Sequence, residues 1–400
     1  MNRDAQAVLL ASRKKQMVVG LLDQLCQQLE ITDTQYQTAT ARYEAVGSWL
    51  AESSLHHLDQ AQIYPQGSIA LGTATKPIGR NEFDVDLVCY LPTLSYTLDP
   101  HVVKTLIGSR LKEHGSYRNM LEEKQRCWRI NYTNEFHLDI TPSIGNPHCN
   151  QGGELVPDKA LARWKPTNPK CYISKFEQYA AMRPRFYLAE TSFAEARADI
   201  ASLPEQVMTK PFLNRIVQLL KRHRDHMFVG IDRSALAPIS VIITTLAAWS
   251  YAHCAKQQVY TDAFDFITAV IRNMPSFIRI ESRTNGQFFI IENETTAGEN
   301  FADKWNGNAR LASSFYAWHK DVLESIESLL LVEGVDKFAE SLSYKFGAKK
   351  EQIHDTLAGI SNRIDQARSA GSLVVVPTLG ITTSSSIGSV SVPRNTFFGR

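Results

Sequence analysis

Asp84 and Asp86 stand one residue apart in the apolar run FDVDLVCY, residues 83–90. The alternation reads as a strand, and side chains two apart on a strand share a face. The two carboxylates therefore project together, while Val85 and Leu87 face the other way. Like charges held side by side repel each other, and a hydrophobic core has no use for the pair. A divalent cation removes the repulsion, and hard oxygen ligands suit magnesium or manganese. Upstream, Gln66-Gly67-Ser68 reads as a tight turn into a short helix. Gly67 lets the backbone approach a ligand, and Ser68 offers a hydroxyl and an N–H at a helix start. Free N–H groups and the helix dipole favour phosphate there. A phosphate cradle beside a metal pair is what a metal–triphosphate complex requires.

Two metals in phosphoryl transfer share a set of ligands, so a third carboxylate is expected. The candidate is Asp139 in EFHLDITPSI, residues 135–144. Phe136, Leu138 and Ile140 alternate with His137, Asp139 and Thr141, which is strand-like. The run CWRINY before it, residues 127–132, reads as a second strand, with Thr133-Asn134 as a hairpin turn. That hairpin would lay Asp139 beside the Asp84/Asp86 strand.

The ordered set of Gly67-Ser68, Asp84-Val85-Asp86 and Asp139 resembles the polymerase-β-like nucleotidyltransferase superfamily. PQGSIALGTATKP followed by EFDVDLV is similar to its bacterial cGAS/DncV-like branch, which makes cyclic oligonucleotide signals in CBASS anti-phage defence. LLKRHRDHMF (residues 219–228) and ENFADKW (residues 299–305) fit the same branch. The resemblance covers about residues 62–305. It implies an α+β fold in which a mixed sheet with flanking helices is closed by a C-terminal helical lobe. It implies two bound Mg2+, with Mn2+ as the alternative. Asp84 and Asp86 would hold both ions and Asp139 the catalytic one. It also implies that Lys221 reaches the donor triphosphate and that Ser240 contacts phosphate. Arg222, His223 and Arg224 are expected to form a solvated charged face. The implied substrates are NTPs, with ATP first and GTP or another NTP as alternatives. The implied product is a cyclic di- or trinucleotide containing adenine. A nucleotidyltransferase acting on RNA, tRNA or protein is the rival reading, and an inactive nucleotide-binding module is another.

Four hundred residues exceed one typical core, so two domains are expected. Residues 1–200 are assigned to the catalytic domain with two N-terminal helices, 201–376 to the helical lobe and 377–400 to a flexible tail. Thr32 or Asp33 caps the second of those helices, and Asp99-Pro100 starts another that stops near Gly115. Further helices are expected at 261–274, 307–331, 335–346 and 350–370, and a hairpin at 277–292 turning on Asn285-Gly286. A net charge of +2 argues against a general nucleic-acid binder. The apolar stretch at 236–255 is interrupted by Pro238, Ser240 and His253 and reads as a buried helix rather than a membrane span. With no signal-peptide pattern and six cysteines without a C-x-x-C, the expectation is a cytoplasmic protein with reduced thiols and no zinc site. The Ser/Thr/Gly-rich tail ends in Phe397-Phe398-Gly399-Arg400. The resemblance suggests a ubiquitin-transferase-like partner there, although such tails often end in glycine and this one ends in Arg400.

Overall fold

The structure is a computed structural model describing residues 3–53, 57–78, 82–133, 135–158, 163–187, 210–284, 286–351, 353, 374–376, 380–382 and 390–391. Two long helices come first, α1 (Arg3–Leu29) and α2 (Asp33–Ala51). Thr32 and Gln35 cap α2 reciprocally, each side chain bonding the other's backbone N–H. The chain then lays down β1 (Gln62–Gln66), α3 (Gly67–Ala70), β2 (Phe83–Tyr90), α4 (Pro100–Glu113), α5 (Tyr117–Met120), β3 (Leu121–Glu123), β4 (Trp128–Tyr132), β5 (Phe136–Gly145), β6 (Glu154–Asp158) and β7 (Arg163–Thr167). Asp99 caps α4 by accepting from the His101 N–H at 2.8 Å. The strands form a sheet in the order β1-β2-β5-β4-β3, with β6 and β7 continuing from β5. Only β2 and β5 pair in parallel, so the sheet is mixed as expected.

Alternation along the strands sends Val85, Leu87, Leu138 and Ile140 to one face, where they meet Val46 and Leu50 of α2 and Val103, Ile107 and Leu111 of α4. The opposite face keeps its charged side chains. One contact sets how closely α4 approaches. A Cβ added at Gly108 would fall 2.1 Å from the Trp128 ring, so the ring lies directly on the bare helix backbone. The Trp128 indole N–H donates to the Lys104 carbonyl at 2.8 Å and completes that anchor.

The second half is helical. After α6 (Pro169–Ala180) and β8 (Arg185–Phe186) come α7 (Phe212–Met227), α8 (Ile231–Ser234), α9 (Ser240–Gln257), β9 (Val259–Tyr260) and α10 (Ala263–Asn273). The hairpin β10 (Arg279–Arg283) and β11 (Gly286–Ile290) lies where expected, although Asn285 is outside the described residues. Then follow α11 (Asp303–Gly307), α12 (Ala309–Ser328) and α13 (Val335–Phe346). Leu213, Val217 and Leu220 of α7 share a core with Ile243 and Leu246 of α9, Phe266 of α10 and Trp318 of α12. The sequence reading groups α1 with the sheet, but its stripe of Val18, Leu22 and Leu25 is buried in this helical core. No helix among the described residues is long and apolar enough to cross a membrane.

Two expectations are corrected. Arg222 and His223 are not a solvated face: α7 runs through the middle of the lobe and both are buried. Arg222 donates to the Phe346 and Gly347 carbonyls at 2.8 and 2.9 Å, where α13 ends with unpaired acceptors. His223 lies against Ser325 at 3.2 Å. The tail is not structureless throughout either. β13 (Gly380–Thr382) and β14 (Val390–Ser391) both pair with β12 (Val374–Val376), as β-branched residues favour. The expected helix at 350–370 falls largely, and the Phe397–Arg400 terminus wholly, outside the described residues.

Trp128 on Gly108 gives a direct test, because β4 also carries a residue of the charged face. Gly108→Ala is expected to destabilise the protein by about 1–3 kcal/mol, the usual cost of overpacking. Urea denaturation of the variant against wild type measures it.

Candidate active site

The charged face is built by strand register. On β2, Asp84 is exposed and Asp86 half-buried, while Val85 and Leu87 beneath them are buried. Parallel pairing sets Asp86 opposite Asp139 and Asp84 opposite His137. Antiparallel pairing of β4 with β5 sets Arg129 opposite Asp139. Three carboxylates from distant stretches thus share one patch of one sheet face. Arg129 ties two of them together. Its Nε and Nη2 donate to the two Asp139 oxygens at 2.6 and 2.8 Å, and Nη2 also donates to Asp84 at 3.0 Å. His137 lies 3.4 Å from Asp84 and 2.6 Å from Glu82.

The turn before β2 closes over Asp86. Gln66 is paired with Asp86, and Gly67 follows with φ +64°. Only glycine adopts that conformation without strain, and a Cβ there would lie 2.3 Å from Asp86 Oδ2. The helix that Ser68 enters is only four residues long, so it carries little dipole. Phosphate binding here would rest on the turn's N–H groups, the Ser68 hydroxyl and nearby cations.

α7 reaches the same place from the helical half. Asn214, Gln218 and Lys221, spaced along one face, donate to the carbonyls of Leu71, Ala74 and Thr73 at 2.8, 3.1 and 3.0 Å. Arg224, one turn past Lys221, donates to Ser240 Oγ at 3.2 Å where α9 begins. Gln66, Gly67, Ser68, Asp84, Asp86, Lys221 and Ser240 all line one cavity of about 1640 Å³ between the sheet and the helices. Asp139 is not among the lining residues; it pairs with Asp86 in register, and both its oxygens accept from Arg129. Arg129, His137 and Arg224 were not singled out from the sequence. Arg129 had a partial signal: the hairpin was legible, but a two-residue turn at Thr133-Asn134 would set residue 129 opposite 138, whereas the observed register sets it opposite 139.

Electrostatics mark the cavity floor. Burial pushes the Asp86 carboxyl up to about 7, with Asp139 and then Asp84 adding to the shift. Burial first, and Arg224 next, push the Lys221 ammonium down to about 8, while Asp225, Asp86 and Asp84 work against the shift. Among the described residues, no three acidic, His or Cys side chains are gathered into a ready-made metal cage. The donor chemistry still fits a hard divalent cation. Asp84 and Asp86 both face the cavity, Asp86 is kept from ionising by burial first and by Asp139 and Asp84 next, and Asp139 stands beside it in register.

A mixed sheet presenting this acid face, closed by a helical lobe, defines a nucleotidyltransferase. Residues 17–179 match the family described as Second Messenger Oligonucleotide or Dinucleotide Synthetase domain, in line with the resemblance to the bacterial cGAS/DncV-like nucleotidyltransferases. A c-di-GMP synthase from Roseivirga ehrenbergii is 29% identical, covering 98% of this chain and 100% of its own. The cyclic dinucleotide synthase CdnG from Bradyrhizobium diazoefficiens is 25% identical over 76% of this chain and 74% of its own. The solved structure of Bradyrhizobium diazoefficiens CdnG with GTP matches with a TM-score of 0.61 at 20% identity, covering 86% of this chain and 99% of that one, which supports the fold.

The raised Asp86 carboxyl makes a pH prediction. A folded-state value of about 7, against 3.8 for the free group, favours the folded state only while Asp86 is protonated. That contribution is full below about pH 4 and is lost as pH rises through about 7. Without metal, Asp86→Asn should therefore stabilise the protein at pH 8, by on the order of 1 kcal/mol, and have much less effect at pH 5. Thermal denaturation at both pH values in EDTA checks it.

Proposed function

We propose that this chain joins guanine nucleotides into a cyclic dinucleotide with release of pyrophosphate. The observation that carries the proposal is the shared cavity. It brings Asp84 and Asp86 from the sheet together with Lys221, Arg224 and Ser240 from the helices, across the Gly67-Ser68 turn. At about 1640 Å³ it exceeds the roughly 300–1,000 Å³ that holds one small ligand, so two nucleotides have room. Guanine is preferred because the relative matched over nearly the whole chain is described as a c-di-GMP synthase. The expectation of an adenine-containing product has no support from that relative and is set aside.

In this reading Asp84 and Asp86 hold magnesium or manganese, and Asp139 completes the set. The bound cation supplies a lowered acceptor-hydroxyl pKa and charge relief on the phosphates. The turn at Gly67-Ser68 and Lys221 orient the donor triphosphate so that the α-phosphorus faces the acceptor hydroxyl. That hydroxyl's oxygen bonds the α-phosphorus, the bond to the β,γ-phosphates breaks, and a second round closes the ring.

Purified protein with Mg2+ and labelled GTP alone is expected to give a phosphatase-resistant small product. A requirement for ATP would defeat the guanine assignment, and label appearing only in added RNA would favour a nucleic-acid transferase. The double substitution Asp84→Ala with Asp86→Ala is expected to abolish product while leaving the circular dichroism spectrum unchanged. Lys221→Ala should weaken GTP binding by about 1–3 kcal/mol, the worth of a hydrogen bond to a charged group. The wild-type advantage should shrink above pH 8, as the free ammonium loses its proton. Equilibrium dialysis with GTP across pH 7–9 reads both effects.

A further inference from the structure

We propose that Arg129 keeps the third carboxylate in reserve: its guanidinium stands between Asp139 and Asp84 in the place of a divalent cation's charge, and gives up Asp84 and part of Asp139 when the cation binds. Both Asp139 oxygens are engaged by the guanidinium, at 2.6 and 2.8 Å, and the same Nη2 reaches Asp84 at 3.0 Å. A planar fork suits this bridging of two carboxylates, and a single ammonium could not reproduce it. The register leaves Asp139 directly beside Asp86, yet of these three carboxylates Asp84 and Asp86 line the cavity and Asp139 does not. Two ligands are therefore presented at once and the third is withheld. Arg129 is itself one-fifth exposed, and its strand is pinned by Trp128, so the side chain can swing while the backbone stays. His137 also faces Asp84, at 3.4 Å, and belongs to the same patch.

Without Arg129, Asp139 would lose the cation that engages both its oxygens, Lys221 would remain as a positive charge acting on Asp86, and a metal would find all three carboxylates free. Arg129 therefore lowers affinity for metal alone. It makes the full set available only when a bound cation displaces it from Asp84 and from part of Asp139. The proposal rests on reading Asp84 and Asp86 as metal ligands. The double substitution Asp84→Ala/Asp86→Ala checks that reading separately: loss of Mn2+ binding there upholds it, whatever Arg129 does.

The test is calorimetric titration of the whole chain with Mn2+ in the absence of nucleotide. Arg129→Gln is expected to bind Mn2+ roughly three- to ten-fold more tightly than wild type, as removal of a nearby like charge implies. The gain should vanish in the Asp139→Asn background, because the competition is for that carboxylate. Arg129→Lys keeps a cation without the fork, covers the case of a poorly folding glutamine variant, and should fall between wild type and Arg129→Gln. Unchanged or weaker Mn2+ binding in a folded variant overturns the proposal and leaves Arg129 as a structural ion pair. A gain that persists with Asp139→Asn overturns it too, since the arginine would then act only as diffuse charge.

Discussion

The parallel pairing of β2 with β5 is the constraint on which the site depends. It holds Asp86 against Asp139, a pair that repels itself in water and more strongly where water is partly excluded, and sets Asp84 beside His137. The fold accommodates the repulsion in three ways. Apolar side chains on the reverse of both strands fasten the sheet to α2 and α4. Gly67 brings its backbone so close to Asp86 that no other residue fits. Arg129, on the next strand, lends a positive charge to the two outer carboxylates. A sheet face of this kind is stable enough to fold and still in want of a cation. That is the condition a metal-dependent transferase needs before substrate arrives.

Among the described residues, the two halves meet at the Gly67-Ser68 turn and the segment after it. Asn214, Gln218 and Lys221 of α7 each take a carbonyl from the segment after α3. The Lys76 N–H donates to the carbonyl of Leu29, where α1 ends. The segment between Gly67 and the acid strand is thus held by the helical lobe, although sequence order places it in the sheet domain. Nucleotide phosphates at the turn would contact a surface whose shape both halves determine. Lys221 illustrates the economy of this arrangement. Buried beside Arg224, it gives up part of its basicity and donates to Thr73. A bound triphosphate would restore the charge that burial disfavours.

The part of this protein that its sequence determines is local. Alternation in FDVDLVCY dictates that Asp84 and Asp86 share a face, since a strand has a period of two. Gly67 before Ser68 dictates a backbone turn, and the interrupted apolar stretch that became α9 dictates a buried helix. The hairpin through residues 127–144 is legible as well, but a two-residue turn at Thr133-Asn134 would set Arg129 opposite Leu138, and the folded register sets it opposite Asp139. Family likeness extended these local signals to the overall architecture. Tertiary structure alone decided the rest, because charge on a side chain says nothing about where it is neutralised. Arg222 and His223 look like a solvated run, yet they are buried because α7 is surrounded by α1, α9, α12 and α13. The stripe of α1 is apolar whichever core receives it, and only packing sends it to the helical one. Asp139 is an exposed-type residue on an amphipathic strand, and only the placing of β5 between β2 and β4 brings it beside both Asp86 and Arg129. Periodicity along a chain is set by backbone geometry and can be read from one segment. Neighbours across the fold are set by competition among all segments for the same buried surface, and no single segment records the outcome.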